Sequence, residues 1–528
     1  MADAVPPLIA ALLDPARYPH PAAPVALLQT HGAWVLLAGE HAYKIKKPVC
    51  LPFMDFSTLA LRRAACEAEL RVNRRFAPAD PAQHIYRAAV PITGTPDAPV
   101  LGGDPAQAIE WAVHMRRFPE ADRLDHVAQR GELTPAMVQA LARHVADVQA
   151  RAAVAPAGSP WGTPEGVWAC AADNLASLRH RLTDADADTR ARLAALSAWS
   201  AAQFQRWAPL LAQRRAQGRV REGHGDLHLA NLLRVGGQVV AFDAIEFNDA
   251  LRWIDVASDL AFTWMDLRHS GHVGLANVLL SEWLDASGDR DAPALLPFFA
   301  VDRALVRAKV AGIRSTQPGA DAASALAEVH AYLRLAEAIA APPVPQLLIT
   351  HGLSGSGKTW ASTHWLASQS APAIRLRSDV ERKHLHGLAA LAASGSDLNS
   401  GLYSPQAHHD TYASLRERAA DLLALGWSVV VDAAFLRRHE RQAFAALAAE
   451  HGAAFHLLAC EAPPEVLRQR IRARQAAGGD ASEATLAVLE QQLGWVEPLT
   501  EEERAQVVAP QAPPQISSIP AVALSQAF

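Results

Sequence analysis

The chain has 528 residues, of which 50% are hydrophobic and 20% are charged, and its formal net charge is -5 at pH 7. This composition is typical of a globular protein with two to four domains of roughly 150 residues each. The slightly acidic balance argues against a dedicated nucleic-acid-binding protein. The four cysteines form no C-x-x-C pair, which excludes a disulfide framework and a zinc-finger signature. We expect a cytoplasmic protein without a membrane partner, because neither a signal peptide nor a run of about 18 apolar residues is present.

The N-terminal part alternates short apolar runs with turn residues. The runs at 25–28, 34–37 and 43–46 predict β-strands, and a helix is predicted over 57–76 with Ser57 as its N-cap. Further strands are predicted over 85–91 and 108–115, and residues 120–335 are predicted to be mainly helical except near 224–247. This layout predicts an α+β bilobal protein-kinase-like domain over residues 1–340, with a small lobe at about 20–118 and a helical lobe at about 119–340.

A proline-rich segment separates this part from a second pattern. Three of the four residues 342–345 are proline, which ends a helix and stiffens a connection, so we predict a linker over 341–345. Beyond it, predicted strands at 346–350, 374–377, 428–432 and 455–460 alternate with helical segments. That alternation predicts an α/β domain with a parallel sheet over residues 346–515, followed by an irregular tail over 516–528.

A candidate catalytic motif lies at 224–247, where the predicted helical region is interrupted. His224, Gly225 and Asp226 are followed by Asn231, and Asp243 comes at the end of a predicted strand. An aspartate at the start of a tight loop can accept the proton of a substrate hydroxyl. An asparagine five residues later and a second aspartate can hold a magnesium ion over the phosphates of ATP.

The H-G-D-x-x-x-x-N motif followed by F-D resembles the catalytic core of the aminoglycoside phosphotransferase family. The resemblance implies that Asp226 is the catalytic aspartate and that Asn231 and Asp243 are metal ligands. Asp255 and Asp259 resemble an acidic pair that often follows this core, and we interpret both as structural supports.

The small lobe offers two lysines and two glutamates for the nucleotide. The segment ending at Lys44 resembles the V-A-I-K strand of kinases, which favours Lys44 for the phosphate contact, but Lys46 lies on the same strand face and stays an alternative. Glu69 on the following helix is the expected partner of the lysine, with Glu67 as the alternative. The full glycine motif of protein kinases is absent from the sequence.

A second nucleotide motif follows the linker. Residues 352–359 match G-x-x-x-x-G-K-[ST], after a predicted strand and before a predicted helix, which is the context that gives the motif its specificity. Lys358 should reach the β- and γ-phosphates, and Thr359 should ligate magnesium. The predicted nucleotide-binding residues of this loop are Gly352, Ser354, Gly355, Ser356, Gly357, Lys358 and Thr359.

The rest of this domain resembles gluconate-kinase-like and related small P-loop kinases. In that resemblance Asp379, after one strand, lies on the acceptor side and has a catalytic role. Asp432, after another strand, lies on the magnesium side, and Arg470 and Arg474 are lid arginines over the phosphates.

Over residues 20–510 the chain resembles the bifunctional aminoglycoside phosphotransferase/ATP-binding protein family. The resemblance implies an ATP-dependent kinase with two nucleotide sites, which uses ATP and Mg²⁺ and phosphorylates hydroxyl groups of small molecules. The alternative is one active small-molecule kinase domain coupled to a regulatory ATP-binding or ATPase domain. Neither the acceptor nor the oligomeric state follows from the sequence.

Overall fold

The structure is a computed structural model that describes residues 5–51, 54–183, 185–316, 321–392, 404–477 and 481–508. The predicted tail over 516–528 lies outside these residues. The chain divides into two compact units, the first formed by 1–133, 148–171 and 206–263 and the second by 134–147, 172–205 and 264–528. The domain bounds given above remain a prediction. None of the described helices has the length and apolar content that crossing a bilayer requires.

The first unit contains a six-stranded antiparallel sheet in the order β1-β2-β3-β8-β6-β7. Side chains on the two faces of this sheet belong to different apolar cores. Leu36 and Ile45 pack with the N-terminal residue Ile9 in one core, whereas Ala42 and Val113 pack with the following helix in the other. The strands of this region, which include the separate antiparallel pair β4 and β5, are β1 (Val25–Gln29), β2 (Ala33–Ala38), β3 (His41–Lys46), β4 (Cys50–Leu51), β5 (Met54–Asp55), β6 (Tyr86–Thr95), β7 (Ala98–Leu101) and β8 (Glu110–Arg116).

The helix predicted after β3 is present as α2 (Leu59–Arg74), preceded in the chain by α1 (Pro7–Ala11). Its N-cap is Thr58, whose hydroxyl accepts a hydrogen bond from the backbone of Leu61 at 3.3 Å. The prediction of Ser57 as the N-cap is therefore wrong by one residue. Both residues can cap a helix, and only the position at which the backbone turns decides between them.

Helices and two small two-stranded antiparallel sheets make up most of residues 124–340. One sheet pairs β9 (Val220–Glu222) with β12 (Trp253–Asp255), and the other pairs β10 (Leu232–Val235) with β11 (Gln238–Ala241). The helices are α3 (Leu124–Gln129), α4 (Pro135–Arg151), α5 (Pro164–Arg181), α6 (Ala187–Ala216), α7 (Asp249–Arg252), α8 (Val256–His269), α9 (Val273–Ser287), α10 (Ala292–Ser315) and α11 (Ala322–Ala340).

The second unit contains a five-stranded parallel sheet in the order β14-β15-β13-β16-β17. Its central strands are buried on both faces, as expected of a parallel sheet covered by helices. The elements are β13 (Gln346–His351), α12 (Lys358–Ser368), β14 (Ala373–Arg377), α13 (Ser378–Leu385), α14 (Pro405–Ala424), β15 (Ser428–Asp432), α15 (Arg438–Glu450), β16 (Ala454–Ala459), α16 (Pro464–Ala477), α17 (Leu486–Leu493), α18 (Glu501–Ala505) and β17 (Val507–Val508). The predicted fold class, α+β followed by α/β, is confirmed.

Within the second unit, helix α9 covers the edge strand β14. The side chain of Asn277 accepts a hydrogen bond from Ala373 N at 3.0 Å, and that of Ser281 accepts one from Arg375 N at 3.0 Å. These bonds satisfy N–H groups that an edge strand would otherwise leave unpaired. The same helix approaches α12 so closely that a Cβ at Gly274 would lie 1.9 Å from the carbonyl oxygen of Ala367.

An ionic cluster accompanies this contact. The buried guanidinium of Arg375 lies 3.5 Å from carboxylate oxygens of both Glu282 and Asp285 on α9. Burial raises the pKa of Asp285 to about 6, although Arg375 acts to lower it. Helix α9, from the region predicted to belong with the N-terminal domain, thus supplies hydrogen bonds and charges to the P-loop sheet.

Candidate active sites

Both candidate lysines of the first unit face helix α2. Lys44 and Lys46 lie two residues apart on β3, so their side chains leave the same face of the sheet. Lys44 Nζ donates to Glu69 Oε1 at 2.8 Å, and Lys46 Nζ donates to Glu69 Oε2. Glu67, the alternative glutamate, instead forms an exposed ion pair with Arg63 at 2.9 Å.

Each lysine also contacts a second carboxylate, and the two differ. Lys44 Nζ donates to Asp243 Oδ1 at 2.6 Å, whereas Lys46 Nζ donates to Glu246. The Asp243 side chain is 45% exposed, but that of Glu246 is only 5% exposed. These contacts form a chain of ion pairs. Lys44 lies toward its solvent-exposed, open end at Asp243, and Lys46 lies toward its buried, closed end at Glu246.

The charges in this chain stabilise one another. Burial lowers the pKa of Lys44, but the carboxylates of Asp243 and Glu69 overcome this effect and hold it well above its usual value. Burial raises the pKa of Asp243, and the positive charge of Lys44 outweighs it, so that the net shift is downward. The lysine is thus ammonium and Asp243 is carboxylate at neutral pH, as a phosphate-binding lysine and a metal-binding aspartate must be.

Asp226 and Asn231 lie together in the loop before β10. Asn231 Nδ2 donates to Asp226 Oδ2 at 3.0 Å and to the Asp226 carbonyl at 2.9 Å. His228 Nε2 lies 3.3 Å from the same carboxylate oxygen. The Asp226 side chain is 36% exposed, so its carboxylate is accessible to an acceptor hydroxyl.

His224 and Asp259 hold the turn that carries Asp226. Asp259 accepts hydrogen bonds from the backbone N–H groups of His224 and Gly225 at 3.0 Å each. Gly225 has φ +86°, and a Cβ there would lie 2.6 Å from the carbonyl oxygen of Leu251, so the turn requires glycine. The contacts of Asp259 agree with its interpretation as a structural support.

The buried His224 ring is neutral. Its Nε2 faces the Phe242 carbonyl oxygen at 2.9 Å and must donate to it, while its Nδ1 accepts from Asp226 N at 3.3 Å. Burial lowers the pKa of His224, in agreement with one proton on Nε2. The ring thereby links the Asp226 loop to the strand end before Asp243.

Asp243 adopts a strained backbone conformation, with φ 59°. Its N–H donates to the hydroxyl of Tyr86 at 2.9 Å, and the next N–H, of Ala244, donates to Asn73 Oδ1 at 2.8 Å. A non-glycine residue in this region costs free energy and persists where neighbouring contacts fix it. These contacts turn the Asp243 side chain back toward Lys44.

The residues at the open end of this site fit a magnesium ion. The charge of Asp226 opposes the net downward shift in the pKa of Asp243, which indicates two carboxylates close enough to repel one another, and a divalent cation would relieve that repulsion. Asn231 would supply an amide oxygen. Among the described residues, no group of three or more His, Cys, Asp or Glu side chains is arranged as a metal site. Magnesium in such a site takes few protein ligands and completes its shell with phosphates and water.

The P-loop of the second unit depends on its glycines. Gly352, Gly355 and Gly357 all have positive φ, at +151°, +82° and +94°. A Cβ at Gly352 would lie 2.3 Å from the Cys460 carbonyl oxygen, and one at Gly355 would lie 2.9 Å from that of Leu467. The glycines therefore permit a tight loop that leads into the start of α12, and the N-terminus of a helix favours a phosphate.

Two polar groups of this loop fit a phosphate ligand. The hydroxyl of Ser356 is buried without a hydrogen-bond partner among the described residues. Lys358 Nζ donates to the loop's own carbonyls, Gly352 O at 3.0 Å and Leu353 O at 2.9 Å. Burial lowers the pKa of Lys358, and Asp432 opposes this shift. Phosphate oxygens would satisfy both groups.

The predicted magnesium residues flank the same loop. Thr359 is the second residue of α12. Asp432 is buried at the end of β15 and accepts a hydrogen bond from Ser362, one turn further along α12, at 3.3 Å. A carboxylate and a threonine hydroxyl at the phosphate end of a P-loop are the ligand types that magnesium uses there.

The predicted acceptor-side residues form a charged cluster. Asp379 Oδ1 lies 3.1 Å from Arg382 Nη1, and Asp379 also shares a hydrogen bond with Ser482. Burial raises the pKa of Asp379, but Arg382, Arg377 and Arg474 lower it below its usual value. The carboxylate is therefore ionised and surrounded by positive charge.

The two predicted lid arginines on α16 have different contacts. Arg470 Nη1 donates to the P-loop carbonyl of Gly355 at 3.2 Å. Arg474 donates to Ala484 O at 2.9 Å and lies near enough to Asp379 to lower its pKa. The structure thus brings Arg470 to the phosphate loop and Arg474 to the acceptor-side cluster.

Three residues of these sites were not predicted from the sequence. Glu246 pairs with Lys46, Tyr86 fixes Asp243, and Gln492 Oε1 accepts a hydrogen bond from the P-loop nitrogen of Ser354 at 2.8 Å. Only Glu246 had a local signal, because it lies three residues after Asp243. The contacts of Tyr86 and Gln492 span 157 and 138 residues, and no local pattern indicates them.

Comparison with known proteins gives a family match for the second site. Residues 347–499 match the AAA_33 family model, described as an AAA domain. The match thus falls on the domain predicted to carry the P-loop, and the part of the chain before it contains the six-stranded antiparallel sheet. A curated relative from Mycobacterium tuberculosis (strain ATCC 25618 / H37Rv), Uncharacterized protein Rv2004c, is 29% identical over 471 residues, which cover 88% of this chain and 90% of the relative.

Two solved structures are similar to separate parts of the chain. A choline/ethanolamine kinase family protein from Mesorhizobium loti covers 63% of this chain and 95% of its own, with 13% identity and a TM-score of 0.39. A sugar kinase from Janibacter sp. HTCC2649 covers 31% of this chain and 84% of its own, with 22% identity and a TM-score of 0.24.

Proposed function

We propose that the chain is an ATP-dependent phosphotransferase with two nucleotide sites, each transferring the γ-phosphate to a hydroxyl group of a small molecule. The observation that carries the proposal is the ion-pair chain in which Lys44 bridges the buried Glu69 and the half-exposed Asp243. Phosphoryl transfer requires a lysine, an acidic metal ligand and a catalytic aspartate in fixed positions.

In the first site Asp226 accepts the proton of the acceptor hydroxyl, because its carboxylate is partly exposed and oriented by Asn231. Lys44 binds the phosphates, and Asp243 and Asn231 hold the magnesium ion. Magnesium supplies neutralisation of the charge that develops on the transferred phosphoryl group. The protein residues supply position and preorganised charge, which account for most of the catalysis in this class of reaction.

In the second site Lys358 and the loop nitrogens bind the phosphates, and Thr359 and Asp432 hold magnesium. Asp379 receives the acceptor hydroxyl at the carboxyl end of β14, where ligands bind in such sheets. Arg470, beside the P-loop, covers the phosphates, and Arg474 stabilises the Asp379 carboxylate. Both help to exclude water, which favours transfer to the acceptor over hydrolysis.

The test is ATP consumption by the full chain with a library of polyols, sugars and nucleosides. Asp226→Asn should lower transfer by the first site about 10²- to 10⁴-fold and leave nucleotide affinity nearly unchanged. Lys358→Ala should remove both binding and turnover at the second site. The control is Asp379→Asn, which should remove transfer at the second site but keep slow hydrolysis.

Two outcomes would contradict the proposal. Transfer that survives the combined Asp226→Asn and Lys358→Ala changes would exclude both sites. If no acceptor raises ATP consumption through the second site, a regulatory ATPase becomes the better description of that domain.

A further inference from the structure

Five charged side chains of the first unit form one continuous chain in the order Glu246, Lys46, Glu69, Lys44 and Asp243. Four of them are enclosed, with side-chain exposures of 5%, 2%, 0% and 15%, and only Asp243 opens to solvent at 45%. Negative and positive groups alternate along it. The order places Lys46 and Glu246 furthest from the end at which a nucleotide and its metal ion would bind.

We propose that Lys46 and Glu246 form a positioning pair that orients Glu69 and, through it, the phosphate-binding Lys44. Lys46 itself does not contact the nucleotide. This inference rests on the proposed function of the first site.

The geometry at Glu69 is the first argument. Each lysine takes a different oxygen of its carboxylate, Lys44 on Oε1 and Lys46 on Oε2. The terminal torsion of glutamate is broad and weakly fixed when it is unconstrained. A second ammonium on Oε2 removes this freedom, so Oε1 stays directed at Lys44.

The second argument concerns the closed end. Lys46 is buried, and an unpaired ammonium there would be strongly destabilising. Glu246 supplies the matching charge, and it lies three residues after Asp243. The Lys46–Glu246 ion pair therefore ties the segment that carries Asp243 to strand β3. The Lys46–Glu246 pair thus positions both carboxylates that contact Lys44, those of Glu69 and Asp243.

The experiment uses the full chain with Lys358→Ala, so that the P-loop does not contribute. Binding of MgATP and steady-state ATP consumption are measured for Glu246→Gln, Lys46→Met, the double variant and Lys44→Met. Lys47→Met is the matched control, because Lys47 adjoins Lys46 but contacts Gln29 at 3.4 Å and the Trp34 ring instead.

We expect Glu246→Gln and Lys46→Met each to raise the KM for ATP at least about 5-fold, with a smaller change in kcat. The double variant should be no worse than the worse single variant, because the two residues act as a unit. Lys46→Arg should recover most of the loss. Lys44→Met should have the largest effect, and Lys47→Met should match the parent chain.

Four results would overturn the inference. A purely structural pair would lower the melting temperature and leave KM and kcat unchanged well below it. A larger loss of MgATP binding in Lys46→Met than in Lys44→Met would make Lys46 the phosphate lysine. Glu246→Gln with parental kinetics would exclude the pair even if Lys46→Met does not fold. If the Lys358→Ala chain binds no MgATP at all, the proposed function of the first site fails, and this inference fails with it.

Discussion

The carboxylate of Asp259 lies 3.0 Å from the backbone nitrogen of Gly225 and accepts its hydrogen bond, while its other oxygen does the same for the preceding residue. The buried side chain of Asp259 therefore fixes the turn that carries Asp226. Asp259→Asn replaces one acceptor by a donor and leaves a backbone N–H facing an N–H.

For Asp259→Asn we predict a loss of about 1–3 kcal/mol in stability and a decrease in kcat at the first site with little change in nucleotide affinity. Thermal unfolding and ATP consumption in the Lys358→Ala chain are the measurements. Glu67→Gln, on the exposed Arg63 pair, is the control and should change stability by less than about 0.5 kcal/mol. Unchanged kcat in Asp259→Asn would show that the turn does not depend on this carboxylate.

The neutral His224 ring predicts a dependence of stability on pH. Its pKa is lowered by burial in the folded protein, so the unfolded chain binds a proton more readily than the folded one. The stability that this neutral ring contributes is fully present above the unfolded pKa of about 6.5 and decreases as the pH falls below it.

Melting temperatures measured between pH 7.5 and pH 5 test this prediction. The wild-type protein should lose stability on acidification, at no more than about 1.4 kcal/mol per pH unit for this group. His224→Gln should melt lower at pH 7.5 but show a weaker decrease toward pH 5. Parallel curves for the two proteins would indicate that other groups cause the whole effect.

The buried hydroxyl of Ser356 predicts opposite effects on stability and on binding. Because it has no partner among the described residues, Ser356→Ala should leave the melting temperature unchanged or raise it slightly. The same change should weaken nucleotide binding to the P-loop, since a phosphate oxygen is the partner we expect. Calorimetric titration with MgATP in a Lys44→Met background, which weakens binding at the first site, gives the affinity of the P-loop. Ser368→Ala, at the exposed end of α12, is the control. An unaltered affinity in Ser356→Ala would exclude the contact.

Two helical glycines in the second unit, Gly274 and Gly312, allow a comparison of the same substitution at a tightly packed and at an open position. Gly274→Ala would place a Cβ 1.9 Å from the Ala367 carbonyl oxygen, whereas the nearest atom to a Cβ at Gly312 lies 3.7 Å away. The first change must separate α9 from α12 and should cost about 1–3 kcal/mol or more. The second should be neutral or stabilising by about 0.5–1 kcal/mol, because alanine favours a helix over glycine. Similar melting temperatures for both variants would contradict the close packing of these helices.

Local patterns in the sequence were sufficient for much of the fold. Short apolar runs separated by turn residues predict most strands of the first sheet, because one strand face packs on α2 and the other on the N-terminal residues. The P-loop was predictable because its glycines meet a steric requirement within eight residues. The prediction of Ser57 as the N-cap is wrong by one position because both serine and threonine can cap a helix, and the sequence places one directly after the other.

The remaining features depend on contacts between distant parts of the chain. The pairing of Lys46 with Glu246 spans 200 residues, and two lysines on one strand face look equivalent until the burial of their partners is known. The contact of Asn277 with strand β14 spans 96 residues and crosses the predicted linker. The sequence of the edge strand β14 gives no indication that helix α9 covers it.

The cover that α9 provides for β14 has a consequence for the nascent protein. Glu282 is synthesised 93 residues before Arg375 (375 minus 282). Its carboxylate therefore emerges from the ribosome before the arginine with which it pairs. At about 5–20 residues per second, the interval is roughly 5 to 20 seconds. The first unit, by contrast, has all of its residues once position 263 has been translated. Synthesis therefore allows the first unit to fold early, while the second must wait for strands encoded near the 3′ part of its message.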